Sequence, residues 1–357
     1  MKVLFFGSYD PGSSRTRVLA KGLLQNGVEV RHGAVGPRRL PLAYAALAPR
    51  FDPDVDIVLV PHPGHHFVPL ARVLAKPRRI PVVFDAFVSL HDTFVLDRKA
   101  VGPRSLGALH YEFIDRLSCA LSDVVLLDTM QHVRYFHETF GTPVERLRRV
   151  PIGSDDEVFR PLPKARAGGT FLVAFAGTFI ALHGLEHVIR AAKLLERTED
   201  VRFAILGRGQ TYPEITGLAK QLDVKNVSFL EPRPYEAVPE FLAEADLCLG
   251  IFGDTAKARR VVPTKAFDVL AMAKPLVTGM SPAMQELGFE DRRNARLVEM
   301  GNPAAIADAI LELRGDEALR RKIAENGYSL FREAFTPKVI GASLKSILES
   351  AVEHGPT

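Results

Sequence analysis

Tryptophan is absent from this sequence of 357 residues, and cysteine nearly so, with only Cys119 and Cys248. Both thiols sit in apolar runs, RLSCALSDVVLL and ADLCLGIF. That argues against a disulfide framework or a cysteine metal site and suits buried thiols in a reducing cytoplasm. Long apolar runs are missing too: no stretch of about 18 such residues occurs, so no segment reads as a membrane span. The opening MKVLFFGSYDPG carries one Lys and a short apolar run before Gly and Pro, the pattern of a buried strand and its turn, not of a signal peptide. A strong excess of one charge is likewise lacking, at +4 overall, and no basic stripe interleaves with aromatics, which argues against a nucleic-acid partner. What is there is 47% hydrophobic and 25% charged residues, the balance of a globular chain. The length calls for two domains of roughly 150 to 180 residues.

The small net charge is unevenly spread. Residues 1–165 hold 22 Lys and Arg against 17 Asp and Glu, the remainder 24 against 25, and eight of the eleven histidines fall in the first part. Two readings fit: contact with an anionic ligand, an acidic acceptor or the inner face of an anionic membrane, or a merely solvated basic surface.

Short apolar runs alternate with helical patterns, which predicts parallel sheets covered by helices on both faces. In the first half the strands are expected at 2–7, 28–33, 55–61, 81–86 and 123–128, with helices such as 14–27 and 68–76 between them. PLPKARAGGT (161–170) suits a linker. A second series follows at 171–177, 202–207, 226–231, 245–252 and 274–279. From about Asn302 the pattern turns to two or three consecutive amphipathic helices. The division is therefore a first Rossmann-like domain over 1–160, a linker over 161–170, a second Rossmann-like domain over 171–335 and a terminal helix over 336–357. Periodicity leaves open which domain that helix covers.

In open parallel sheets, ligands collect beyond the carboxyl ends of the strands, where helix N-termini favour anions. The most informative such loop is GDTAKARRVVPTKAFDVLAM. Lys257, Arg259, Arg260 and Lys265 crowd in front of a helix whose start carries Pro263 and Thr264, a setting for a diphosphate. Asp268, three residues after Lys265 on the same helix face, is placed to accept hydrogen bonds from ribose hydroxyls. A solvated basic loop with a surface Lys265–Asp268 pair is the alternative. Gly207-Arg208-Gly209 and Gly177-Thr178 are two more strand-to-loop junctions, and GxG alone equally marks an ordinary turn. The histidines of PHPGHH (61–66) lack the spacing of a metal site, so no metal is expected. In DAFVSLHDTFVLD (85–97), Asp85 or His91 suits a base or an acceptor-positioning group, with a buried Asp–His network as the equal alternative.

Four segments, AGTFIALHGLEHVIRAAKLL (176–195), RFAILGRGQ (202–210), EPRPYEAVPEFLAEADLCLGIF (231–252) and VPTKAFDVLAMAKPLVTG (262–279), resemble in order and spacing the retaining glycosyltransferases of the GT-B fold, family 4. The resemblance spans nearly the whole chain. It implies two Rossmann-like domains facing a cleft, with the terminal helix packing back on the first. It also implies a nucleoside diphosphate sugar as donor, held by the second domain, and no metal or other cofactor. The acceptor, a saccharide, a lipid-linked molecule or a small molecule, would meet the first domain. Gly7, Gly177, Thr178, Arg208, Thr264, Lys265 and Asp268 fall at donor-binding positions, and Asp85, His91 and Arg260 where transferred sugar and acceptor meet. Two departures stand out. The family's paired acidic residues, eight apart, are here Arg260 and Asp268, so sugar recognition must differ. The family's diphosphate-binding Arg and Lys fall on Thr178 and His183, so Arg208, Arg260 and Lys265 are expected to supply the lost charge. A nucleotide-sugar epimerase and a non-catalytic nucleotide-sugar binder remain the alternatives.

Overall fold

The computed structural model describes residues 1–163 and 169–356, and it separates into two units, Met1–Gly153 with Thr336–Thr357, and Ser154–Phe335. Of the expected linker, residues 164–168 lie outside the described residues. The first unit ends at Gly153 instead of residue 160, and Phe159 already packs its ring against Tyr235 of the second unit.

The first sheet contains β1 (Lys2–Gly7), β2 (Glu29–Ala34), β3 (Ile57–Val60), β4 (Val82–Phe87), β5 (Val124–Leu127) and β6 (Leu147–Arg149), in the order β2-β1-β3-β4-β5-β6. The second contains β7 (Phe171–Ala176), β8 (Val201–Leu206), β9 (Val227–Leu230), β10 (Leu247–Leu249), β11 (Leu276–Gly279) and β12 (Arg296–Val298), in the order β12-β11-β10-β7-β8-β9. All strand pairs run parallel. Central strands such as IVLV and VVLL are buried along their whole length because helices cover both faces, which is why they read as unbroken apolar runs. Each unit has its own core, built on Phe6, Val58, Phe84 and Phe136 in one and on Phe175, Phe179, Phe203 and Phe252 in the other. The order doubles back between β1 and β3 in the first sheet and between β7 and β10 in the second. A crevice opens at such a reversal, because the connections on its two sides leave toward opposite faces.

The last three helices are Pro303–Gly315, Glu317–Ala334 and Pro337–His354. The final one belongs to the first unit and crosses the helix Ser14–Gln25 at a pair of glycines. A Cβ on Gly341 would lie 2.1 Å from the carbonyl carbon of Gly22, and one on Gly22 would lie 2.2 Å from the carbonyl oxygen of Pro337. The two backbones touch, and Asn26 Nδ2 ties them by donating to Lys338 O at 2.8 Å. Replacing Gly341 by Ala forces the helices apart and is expected to cost about 1 to 3 kcal/mol, read as a lower melting temperature of the first unit. An unchanged melting curve would show that the crossing yields freely.

Both cysteines are buried, and desolvation pushes each thiol up to about 12, so neither is a nucleophile at neutral pH. Among the described residues no helix is long and apolar enough to cross a membrane.

Candidate active site

The reversal between β7 and β10 gathers the residues with the most distinctive chemistry. Gly177 follows β7, and the chain after β10 runs through Gly253–Val262 into the helix Thr264–Ala271. Pro263 precedes that helix and no side chain caps it, which leaves its N-terminus suited to an anion. Lys265, in the first turn, reaches back across the end of β7. A Cβ on Gly177 would lie 2.8 Å from both Cε and Nζ of Lys265, so this approach requires glycine there. The ammonium sits 4.6 Å from the centre of the Phe175 ring and donates to Nε2 of His183 at 2.8 Å. Removal from water pulls the lysine down to about 7, an effect that Asp268 opposes.

Asp268 lies one turn further along the same helix and is buried. Its Oδ1 accepts from Ser154 Oγ at 2.6 Å. Burial raises this carboxyl to about 7, against the opposing pull of the Ser154 hydrogen bond and of Lys265. A cation and a carboxylate thus share one helix face, each held off its ordinary ionisation by desolvation. Such paired shifts mark sites that bind charge.

Thr178 adjoins this cluster through its carbonyl, which accepts from Nδ1 of His183 at 2.5 Å. Thr264 opens the helix itself. Arg260 lies in the preceding turn, its N–H bonded to Lys257 O at 2.9 Å and its side chain partly buried. Arg208, expected to share the diphosphate charge, accepts the Phe179 N–H on its carbonyl at 2.9 Å, and its side chain makes a surface ion pair. It follows β8, pairs with Glu231 beyond β9, and stacks on Tyr212 at 3.7 Å.

In the first unit, Gly7 ends β1 beside the other reversal, with Phe67 packed over it. Asp85, the expected acceptor-side group, sits in a buried ion pair. Its carboxylate takes Nε of Arg15 at 2.9 Å and Nη2 at 2.6 Å, while Nη1 of Arg15 donates to Val150 O at 3.1 Å. Both partners are almost wholly buried, at 6% and 1% exposure. His91 is partly buried, and its Nδ1 has no hydrogen-bond partner among the described residues; its backbone N–H donates to Asp115 Oδ2 at 2.9 Å. Asp115 also takes Ser89 Oγ and the Leu90 N–H and lies 3.3 Å from His65 Nε2, so this carboxylate ties the loop after β4 to the helix Leu106–Leu121. The histidines of PHPGHH serve local contacts: His65 on Asp115, His66 on His110 at 3.0 Å, and Nδ1 of His62 with the Ala86 carbonyl oxygen at 3.0 Å. Among the described residues no cluster of three or more His, Cys, Asp or Glu side chains is gathered that could hold a metal ion.

Residues 170–316, which carry this whole cluster except Ser154, match the family model "Glycosyl transferases group 1". Among relatives, it is 25% identical over 160 residues to an uncharacterized glycosyltransferase, MJ1178, of Methanocaldococcus jannaschii, a match covering 43% of this chain and 41% of the relative. It is 27% identical over 333 residues to a D-inositol 3-phosphate glycosyltransferase of Catenulispora acidiphila, covering 83% of this chain and 74% of the relative. The fold is GT-B. Anabaena Alr3699/HepE, solved in complex with UDP-glucose, superposes with a TM-score of 0.73 at 16% identity, covering 98% of this chain and all (100%) of that one.

No local pattern pointed to Ser154 or to the contact between His183 and Lys265. Ser154 follows β6, a three-residue strand that carries two arginines and is invisible as an apolar run. The signal that pointed to His183 was its place where the resembling family has a lysine.

Proposed function

We propose that this chain is a glycosyltransferase that moves a sugar from a nucleoside diphosphate sugar to an acceptor, with retention of anomeric configuration and without a metal ion. The observation that carries this reading is the lysine over Gly177. Among the described residues its ammonium is hydrogen-bonded only to the imidazole of His183, one helical turn from a buried carboxylate, at a switch point of a doubly wound sheet. A diphosphate leaving group develops charge as the glycosidic bond breaks. A fixed cation and the uncapped N-terminus of the helix Thr264–Ala271 would neutralise that charge as it forms. With the departing diphosphate held on one face, the acceptor hydroxyl attacks that same face of an oxocarbenium-like centre, and configuration is kept. Asp268 would accept hydrogen bonds from ribose hydroxyls. The names of its relatives support glycosyl transfer, and the UDP-glucose in the HepE structure supports a nucleotide-sugar donor.

The roles of the two charged groups separate by ligand. With EDTA present throughout, Asp268→Asn is expected to weaken UDP binding about tenfold or more while leaving inorganic pyrophosphate within twofold, since a lost hydrogen bond to a charged group is worth about 1.5 to 3 kcal/mol. Isothermal titration measures both. Equal losses for the two ligands would remove Asp268 from ribose recognition, and binding that needs added magnesium would overturn the metal-free reading.

A further inference from the structure

Lys265 and His183 approach each other from different elements, and the tautomer of the histidine decides what their contact means. A carbonyl oxygen only accepts, so the 2.5 Å contact of His183 Nδ1 with Thr178 O requires the proton on Nδ1. In the uncharged ring Nε2 is then a lone pair, and the 2.8 Å contact with Lys265 Nζ is a hydrogen bond donated by the lysine. In this arrangement the imidazole is the acceptor and the lysine the donor. It orients the ammonium without cancelling its charge, as a carboxylate in the same place would.

The ring itself is fixed. His183 ends a single 3-10 turn, Ala181–His183, closed by Gly184 in the left-handed region at φ 62°. A Cβ on Gly184 would lie 2.3 Å from the backbone nitrogen of Gly253, so this turn is pressed against the chain that follows β10. The imidazole meets Phe175 edge-on, with centroids 5.6 Å apart, and the same Phe175 ring underlies the lysine ammonium. Three features thus converge on one nitrogen: a lone pair, an aromatic face and the missing side chain of Gly177.

We propose that His183 is the positioning residue of the diphosphate site, its Nδ1–H tautomer accepting from Lys265 and holding the ammonium over Gly177, aimed at the departing diphosphate. This rests on the glycosyltransferase reading above. A long lysine side chain loses rotamer freedom when it binds an anion, and a neutral acceptor that holds it beforehand removes part of that loss.

The test is a double-mutant cycle read by isothermal titration with inorganic pyrophosphate in EDTA, which needs no knowledge of the donor base. His183→Phe keeps a ring against Phe175 and removes both nitrogens, and it is expected to weaken pyrophosphate binding at least tenfold. His183→Gln restores an acceptor and a donor and is expected to recover most of the loss. In a Lys265→Met background, His183→Phe is expected to do no further harm, because the lysine it positions is gone. A purely structural histidine gives losses that multiply across the cycle, and that result overturns the proposal, as does wild-type affinity in a folded His183→Phe protein. If His183→Phe fails to fold, His183→Asn takes its place, since its shorter amide cannot span both contacts. Should Lys265→Met lose binding while the histidine variants do not, only the role of His183 falls. If the wild-type protein binds neither pyrophosphate nor UDP, the functional reading falls and the proposal with it.

Discussion

Titrated with UDP at pH 8, the wild-type protein takes up close to one proton, and Lys265→Met takes up none and loses at least 100-fold in kcat/KM. The proton follows from the lysine. Burial holds it near 7, so at pH 8 about nine-tenths of the free protein carries it neutral. A diphosphate beside Nζ restores the charge, and the proton must come from solvent. Affinity should therefore be level below pH 7 and fall about tenfold per pH unit above it, until the pKa of the bound state is reached. The loss in turnover combines a hydrogen bond to a charged group with a donor aimed at developing charge, an interaction whose removal typically costs about 100- to 1000-fold. Titration in two buffers of different ionisation enthalpy measures the proton count. No uptake in the wild type would mean that Lys265 is already charged or does not meet the ligand.

The same lysine sets a pH dependence of stability with an unusual sign. Its folded pKa lies below the unfolded value of about 10.5, so between pH 7 and 10.5 the unfolded chain binds more protons, and this group makes the fold more stable as pH rises. Asp268 works oppositely. Its folded pKa is raised from 3.8 to about 7, so across that window stability falls as pH rises. The two groups together make neutral pH the least favourable point of this site. Lys265→Met is accordingly expected to melt a few degrees higher than the wild type while losing function.

The fold was legible where burial is two-sided. Strands such as VVLL and FLVAFA announce themselves because every side chain meets a helix layer. The two strands without an expectation, β6 (LRR) and β12 (RLV), are three-residue edges whose arginines remain at least partly exposed. Lys265 and Asp268 were legible because a basic loop ahead of a helix start is a local pattern. The partners of Arg208, Ser154 and His183 were not, because they depend on which strands lie side by side. Arg208 belongs to the β8–β9 edge and finds Glu231, whereas Ser154 and His183 come from distant turns to meet one helix. Asp85 shows the same limitation in its sharpest form, since its partner Arg15 is 70 residues away in sequence.

Asp85→Asn is expected to lower the melting temperature of the first unit by on the order of 10 °C, the largest stability effect of any single change considered for this chain. The substitution leaves the Arg15 guanidinium buried, still donating to Val150 O at 3.1 Å but without its counter-charge. Breaking one side of a buried ion pair costs about 3 to 5 kcal/mol, while replacing both sides with apolar groups of similar volume is often neutral. Arg15→Met combined with Asp85→Leu should therefore regain most of the lost stability. That rescued protein separates the two roles the sequence left open for Asp85. If the carboxylate only anchors the helix Ser14–Gln25 to β4, turnover of the double variant stays within several-fold of wild type at temperatures well below its melting point. If Asp85 acts on the acceptor, the double variant is stable and inactive, and calorimetry paired with a kinetic assay tells the two apart. The geometry favours the first outcome, because a carboxylate that holds two guanidinium nitrogens and is 1% exposed lacks the access to take a proton from an acceptor hydroxyl.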